Sequence, residues 1–86
     1  MGNIIFTDRA FAEYLDWQNE DRKTLKRINA LLKDIDRNPF GGIGKPEGLK
    51  GNLSGLWSRR IDDVNRLVYR VTDNGTEVYQ CKGHYE

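Results

Sequence analysis

The run Arg66-Leu67-Val68-Tyr69-Arg70-Val71-Thr72-Asp73-Asn74-Gly75-Thr76-Glu77-Val78-Tyr79-Gln80-Cys81 decides the fold class. β-Branched and aromatic residues fill both sides of Asp73-Asn74-Gly75, and an Asn-Gly pair between two such runs is a strong β-hairpin signal. Strands are expected over residues 66–71 and 77–81. With Asn74 and Gly75 as the two turn residues, Asp73 pairs with Thr76, and counting outward sets Arg66 opposite Gly83. Arg66 and His84 then lie within reach of each other across the strands. Which face each occupies stays open, because a slip of one residue reverses it.

Upstream, residues 56–61 form a further strand, joined to residues 66–71 across Asp62-Asp63-Val64-Asn65. Before it lies a different kind of segment: residues 40–55 hold six glycines and one proline, which leaves little for regular structure. A long irregular segment in so small a domain is functional or disordered. Further upstream the period becomes helical. Leu25, Ile28, Leu32 and Ile35 form one stripe of a helix that Asp21 caps and Asn38-Pro39 ends. Its other face carries Arg22, Lys23, Lys26, Arg27 and Lys33. An earlier helix, capped by Thr7 or Asp8, presents Phe11, Tyr14, Leu15 and Gln18 on one face. So short a link makes the two an αα-hairpin. Asn3-Ile4-Ile5-Phe6 reads as a first strand. The expected order is β-α-α-β-β-β, an α+β domain whose antiparallel sheet carries the helical hairpin on one face.

Composition bounds the function. With 86 residues, 37% of them hydrophobic, there is room for a single domain, residues 1–86, with one modest core. No apolar run approaches a membrane span, and no charged-then-apolar leader is read. Met1-Gly2 lacks the Ser or Thr that myristoylation wants at position 6, where Phe6 stands. A single cysteine, Cys81, fits a reducing compartment. A cytoplasmic protein without membrane contact is the expectation. The net charge of +1 is not that of a strong nucleic-acid binder, yet Lys45, Lys50, Arg59 and Arg60 face only Glu47 between residues 45 and 60. One His and one Cys do not make an ordinary zinc site. Gly41-Gly42-Ile43-Gly44-Lys45 lacks the spacing of a phosphate loop. No cofactor is expected.

The remaining chemistry rests on His84, the only histidine, which suits proton transfer near neutral pH. Cleaving RNA through its own 2′-hydroxyl needs a base for that hydroxyl, an acid for the leaving 5′-oxygen and positive charge for the phosphate. Glu47, His84 and Arg66 can fill these roles without a metal. Tyr85 can stack on a base or donate to the phosphate. Each residue also has a plain reading: a solvent-exposed terminal histidine, a loop carboxylate, and an arginine paired with Asp62 or Glu86. Arg59 and Arg60 point to opposite faces, so at most one belongs to any site. Trp17 and Trp57 read as core, and Cys81 as a buried small residue.

Lys45-Pro46-Glu47-Gly48-Leu49-Lys50 and Leu53-Ser54-Gly55-Leu56-Trp57-Ser58-Arg59-Arg60-Ile61 resemble the Txe/YoeB toxins of the RelE/ParE superfamily. Tyr14-Leu15-Asp16-Trp17-Gln18, Arg66-Leu67-Val68-Tyr69 and His84-Tyr85 extend the match over nearly the whole chain. The resemblance implies a microbial-ribonuclease-type fold and a toxin that cleaves messenger RNA in the ribosomal A site. It implies Glu47 as general base, His84 as general acid, Arg66 as the phosphate-stabilising arginine and Tyr85 as the tyrosine completing the site. Lys50 and Arg59 match basic residues near the substrate path. Implied partners are a YefM-type antitoxin, the ribosome with its mRNA, a second copy in a homodimer, and operator DNA only together with antitoxin. Glu86 adds a carboxylate two residues from His84, with two opposite consequences left open: assistance to a general acid, or repulsion of the scissile phosphate. On the same scaffold, a ParE-like inhibitor of DNA gyrase is the competing reading, and an RNA-binding module without catalysis the third.

Overall fold

The computed structural model describes residues 2–84. Along the chain come β1 (Asn3–Phe6), α1 (Asp8–Glu20), α2 (Arg22–Arg37), β2 (Glu47–Gly48), a 3₁₀ turn (Gly51–Leu53), β3 (Trp57–Arg60), β4 (Arg66–Thr72) and β5 (Gly75–Gln80). The strands form one five-stranded sheet in the order β1-β5-β4-β3-β2. The α+β class and the helical hairpin are those expected, and β2 is an addition inside the glycine-rich segment.

Thr7 starts α1. Its hydroxyl oxygen accepts from the Ala10 N–H at 3.1 Å, and its own N–H donates to the Val78 carbonyl at 3.0 Å. Asp21 is the whole link between the helices and caps α2, accepting from the N–H groups of Lys23 (3.0 Å) and Thr24 (3.3 Å). From α2, Ile28, Leu31, Leu32 and Ile35 enter the core. They meet Leu67 and Tyr69 of β4 and Val78 of β5.

α1 is rotated from the expected face. Phe11, Leu15 and Gln18 are exposed, while Ala10 and Trp17 are buried and Tyr14 is half-buried. Both stripes have helical spacing, so periodicity does not choose between them. Hydrogen bonding and size do: the Trp17 indole N–H donates to the Cys81 carbonyl at 2.8 Å, and the small Ala10 lets the helix approach the sheet closely.

The sheet is mixed rather than wholly antiparallel. β1 runs parallel to β5, with Asn3 opposite Gly75 and Phe6 opposite Val78. Alternation specifies a strand but neither its partner nor its direction. Gly75, expected within the turn, is the first residue of β5. A β-carbon there, at φ +136°, would fall on the Asn3 backbone, so the β1 contact needs glycine. The turn is therefore Asp73-Asn74, with Thr72 paired to Gly75 and Val71 to Thr76. A bulge then leaves Tyr69 opposite Val78 and Val68 opposite Gln80. The shifts compensate: the Arg66 N–H donates to the Gly83 carbonyl at 2.9 Å. The expected neighbourhood of Arg66 and Gly83 is present by a different register.

Leu67 and Tyr69 face the helices, so Arg66 and Val68 lie on the other side of the sheet. No helix among the described residues is long and apolar enough to cross a membrane.

Candidate functional site

The side of the sheet away from the helices carries an open cleft of about 500 Å³, lined by Glu47, Arg66 and His84 together with Lys45, Ser58 and Arg60. Three separate segments meet there. β2 pairs with β3 through Glu47 opposite Ser58, and β3 with β4 through Arg60 opposite Arg66. Like charges directly opposite across strands are unfavourable. Their pairing at the cleft wall makes that wall cationic. Lys45 adds a third cation and holds a left-handed φ of 52°, a backbone conformation that concentrates at functional sites. His84 also borders an adjoining groove of about 420 Å³ with Leu53, Leu56, Val68, Tyr79 and Arg9 on its walls.

The loop carrying Glu47 is held from beneath by Arg59. Its guanidinium donates to the Asp34 carboxylate and to the carbonyls of Asn38 (2.6 Å), Gly41 (2.7 Å) and Ile43 (3.0 Å). Its Nε donates to the Tyr69 hydroxyl at 3.2 Å, and that hydroxyl donates to the Pro39 carbonyl at 2.7 Å. The side chain is 0% exposed. Arg59 therefore does not line a substrate path, contrary to the sequence expectation: the alternation of β3 turns it into the core side, where Asp34 of α2 needs a buried cation. Gly44 completes the support. Its carbonyl accepts from the Arg60 N–H at 2.7 Å, and at φ +82° a β-carbon would stand 2.8 Å from Leu31.

Arg66 is oriented by its own loop, donating from Nη1 to the carbonyls of Asp62 (2.7 Å) and Asn65 (3.1 Å). Lys50 is exposed at the start of the 3₁₀ turn and is not among the residues lining the cleft. Tyr85 and Glu86 lie outside the described residues. Among the described residues no cluster of three or more His, Cys, Asp or Glu side chains is placed to hold a metal ion.

The Arg59 hydrogen bond, followed by that from the Ile43 N–H, holds the Asp34 carboxyl below the usual carboxylate range. Burial works to raise Asp62, but hydrogen bonds from Asn65 and Val64 and the nearby Arg66 charge outweigh it and lower it. Burial, with Glu13 and Asp16 nearby, pushes the Cys81 thiol up to about 12. Such a thiol is inert as a nucleophile.

Lys45 and Arg60 were missed as site residues. Asp34 held the signal for Arg60: a carboxylate beside the apolar stripe of α2 requires a buried base. Once Arg59 takes that place, alternation sends Arg60 to the cleft.

The family model described as "YoeB-like toxin of bacterial type II toxin-antitoxin system" matches residues 6–85. A Toxin YoeB of Streptomyces coelicolor is 55% identical over 82 residues, covering 95% of this chain and 98% of that protein. The structure of a YoeB dimer from Staphylococcus aureus superposes with a TM-score of 0.92 at 53% identity, covering 98% of both chains. A heterotetrameric YoeB–YefM toxin–antitoxin complex from Staphylococcus aureus superposes with a TM-score of 0.91 at 52% identity, covering 99% of both.

Proposed function

This chain belongs to the YoeB-like toxins of bacterial type II toxin–antitoxin systems, and from that premise we propose a ribosome-dependent endoribonuclease that cuts mRNA at the A-site codon. The observation that carries the reading is the meeting of Glu47, Arg66 and His84 in one open, cationic cleft.

In this mechanism Glu47 takes the proton of the substrate's 2′-hydroxyl, whose oxygen attacks the adjacent phosphorus. The bond from phosphorus to the 5′-oxygen breaks, and His84 gives that oxygen its proton. Arg66, with Arg60 and Lys45 beside it, offsets the charge that gathers on the phosphate. The products are a 2′,3′-cyclic phosphate and a 5′-hydroxyl. Tyr85 completes the site against the base or phosphate. DNA, lacking the 2′-hydroxyl, is not cut. The groove beside His84, with Leu53, Leu56 and Tyr79 on its walls, suits an unstacked base. Lys50 serves as an outer contact for the RNA backbone.

The proposed partners are the ribosome with its mRNA, a YefM-type antitoxin and a second copy of the chain. The antitoxin and the dimer are supported by the assemblies of the similar staphylococcal proteins. Operator DNA is bound only with the antitoxin, and action on ribosomes places the toxin in the cytoplasm.

The deciding measurement is primer extension on an mRNA translated by purified ribosomes. Wild-type protein is expected to cut at the A-site codon, with cutting lost without ribosomes or in His84→Gln and unaffected by a chelator. Intact mRNA alongside toxicity in cells would replace this reading with gyrase inhibition.

A further inference from the structure

We infer that Asn65 is a positioning residue, whose carboxamide clamps the C-terminal segment so that His84 stands in the same cleft as Arg66. The inference rests on the acid–base reading above. β5 ends at Gln80, and Gly83 takes a left-handed φ of 83°, so no continuing strand holds the chain where it approaches His84. Side chains take over. The Asn65 Oδ1 accepts from the Gly83 N–H at 2.7 Å, while its Nδ2 donates to both Asp62 carboxylate oxygens, at 3.1 and 3.0 Å. Asp62 is itself fixed, accepting from the N–H groups of Val64 (2.9 Å) and Asn65 (2.6 Å).

The Gly83 carbonyl is held as well, accepting from the Arg66 N–H at 2.9 Å and the Gln80 side chain at 3.1 Å. Both peptide groups of Gly83 are thus tied down one residue before His84. The carbonyls of Asp62 and Asn65 also aim the Arg66 guanidinium. One short loop between β3 and β4 therefore registers the arginine against the histidine. Gly83 offers a donor and Asp62 an acceptor, so the linking group must present one of each, as the Asn65 carboxamide does and a carboxylate does not. Aspartate at position 65 sets two carboxylates against each other.

The exchange of roles supplies the test. Asn65→Asp keeps an acceptor for the Gly83 N–H but loses the donor to Asp62, so repulsion between the two carboxylates drives that acceptor off its place. Asp62→Asn combined with Asn65→Asp instead rebuilds the link with the amide and carboxylate interchanged. Ribosome-dependent cleavage and Gly83 amide exchange are measured for wild type, the single variant and the pair, at a temperature where circular dichroism shows all three folded. The expected result for Asn65→Asp is a fall in kcat of about 10- to 100-fold, with KM little changed, as for a displaced catalytic group. Gly83 exchange is expected to accelerate, and the paired substitution to restore both readouts. Wild-type kcat in Asn65→Asp overturns the inference. So does a loss that the paired substitution does not recover. Should wild-type protein leave mRNA intact, the ribonuclease reading fails instead, and Gly83 exchange unchanged by Asn65→Asp then overturns the clamp on its own.

Discussion

Arg59 and Arg60 are adjacent in sequence and opposite in role. Arg59 spends its guanidinium on Asp34, Tyr69 and three loop carbonyls, so Arg59→Met is expected to lower the urea midpoint and lose activity only as the loop comes free. Arg60→Ala is expected to leave the urea midpoint unchanged while cutting RNA cleavage by about tenfold and flattening its salt dependence. Equal loss of stability in both variants would contradict this division. Asp34 adds a pH signature. Its folded-state pKa is depressed, so its contribution to stability is present above the ordinary carboxylate value of 3.8 and is lost as pH falls through the folded-state value. Acid unfolding followed by tryptophan fluorescence is expected to shift to higher pH in Arg59→Met. His84 stood out in the sequence as the only histidine, whereas Glu47, one of five glutamates, was singled out through the family resemblance. Arg59 was misplaced because a buried arginine looks, in one dimension, like any other base.

At the scale of elements, caps and turns show how far local chemistry reaches. Thr7 closes the first turn of α1 and also bonds β5 through the carbonyls of Val78 and Tyr79. Thr7→Ala is expected to cost about 1 kcal/mol, measurable by urea denaturation, with no change in the cleavage pattern. Both helices, their caps at Thr7 and Asp21 and the three C-terminal strands were readable, since short-range periodicity and capping encode them. The rotation of α1 was not, because the Phe11 and Trp17 stripes are equally periodic and the choice falls to a hydrogen bond with Cys81. The turn was displaced by one residue for a similar reason. Gly75 is needed where β1 comes close, which an Asn-Gly pair does not reveal.

Across the whole molecule, the core lies between helices and sheet while the cleft opens on the sheet's other side. Stability and activity should therefore separate. Ile28→Ala, at a side chain that is 0% exposed, is expected to cost about 2–5 kcal/mol yet preserve A-site cutting below its melting temperature. Loss of cutting in fully folded Ile28→Ala protein would show the two faces to be coupled. Both helices, every strand but β2, their order and the residue types proposed for acid–base chemistry follow from the chain alone, because propensity, periodicity and side-chain chemistry are local properties. The parallel placement of β1, the burial of Arg59, the entry of Lys45 and Arg60 into the cleft and the bulged register that brings Gly83 to Arg66 depend on long-range pairing. Each is fixed by which groups find partners once distant segments are packed together, and no local pattern carries that information.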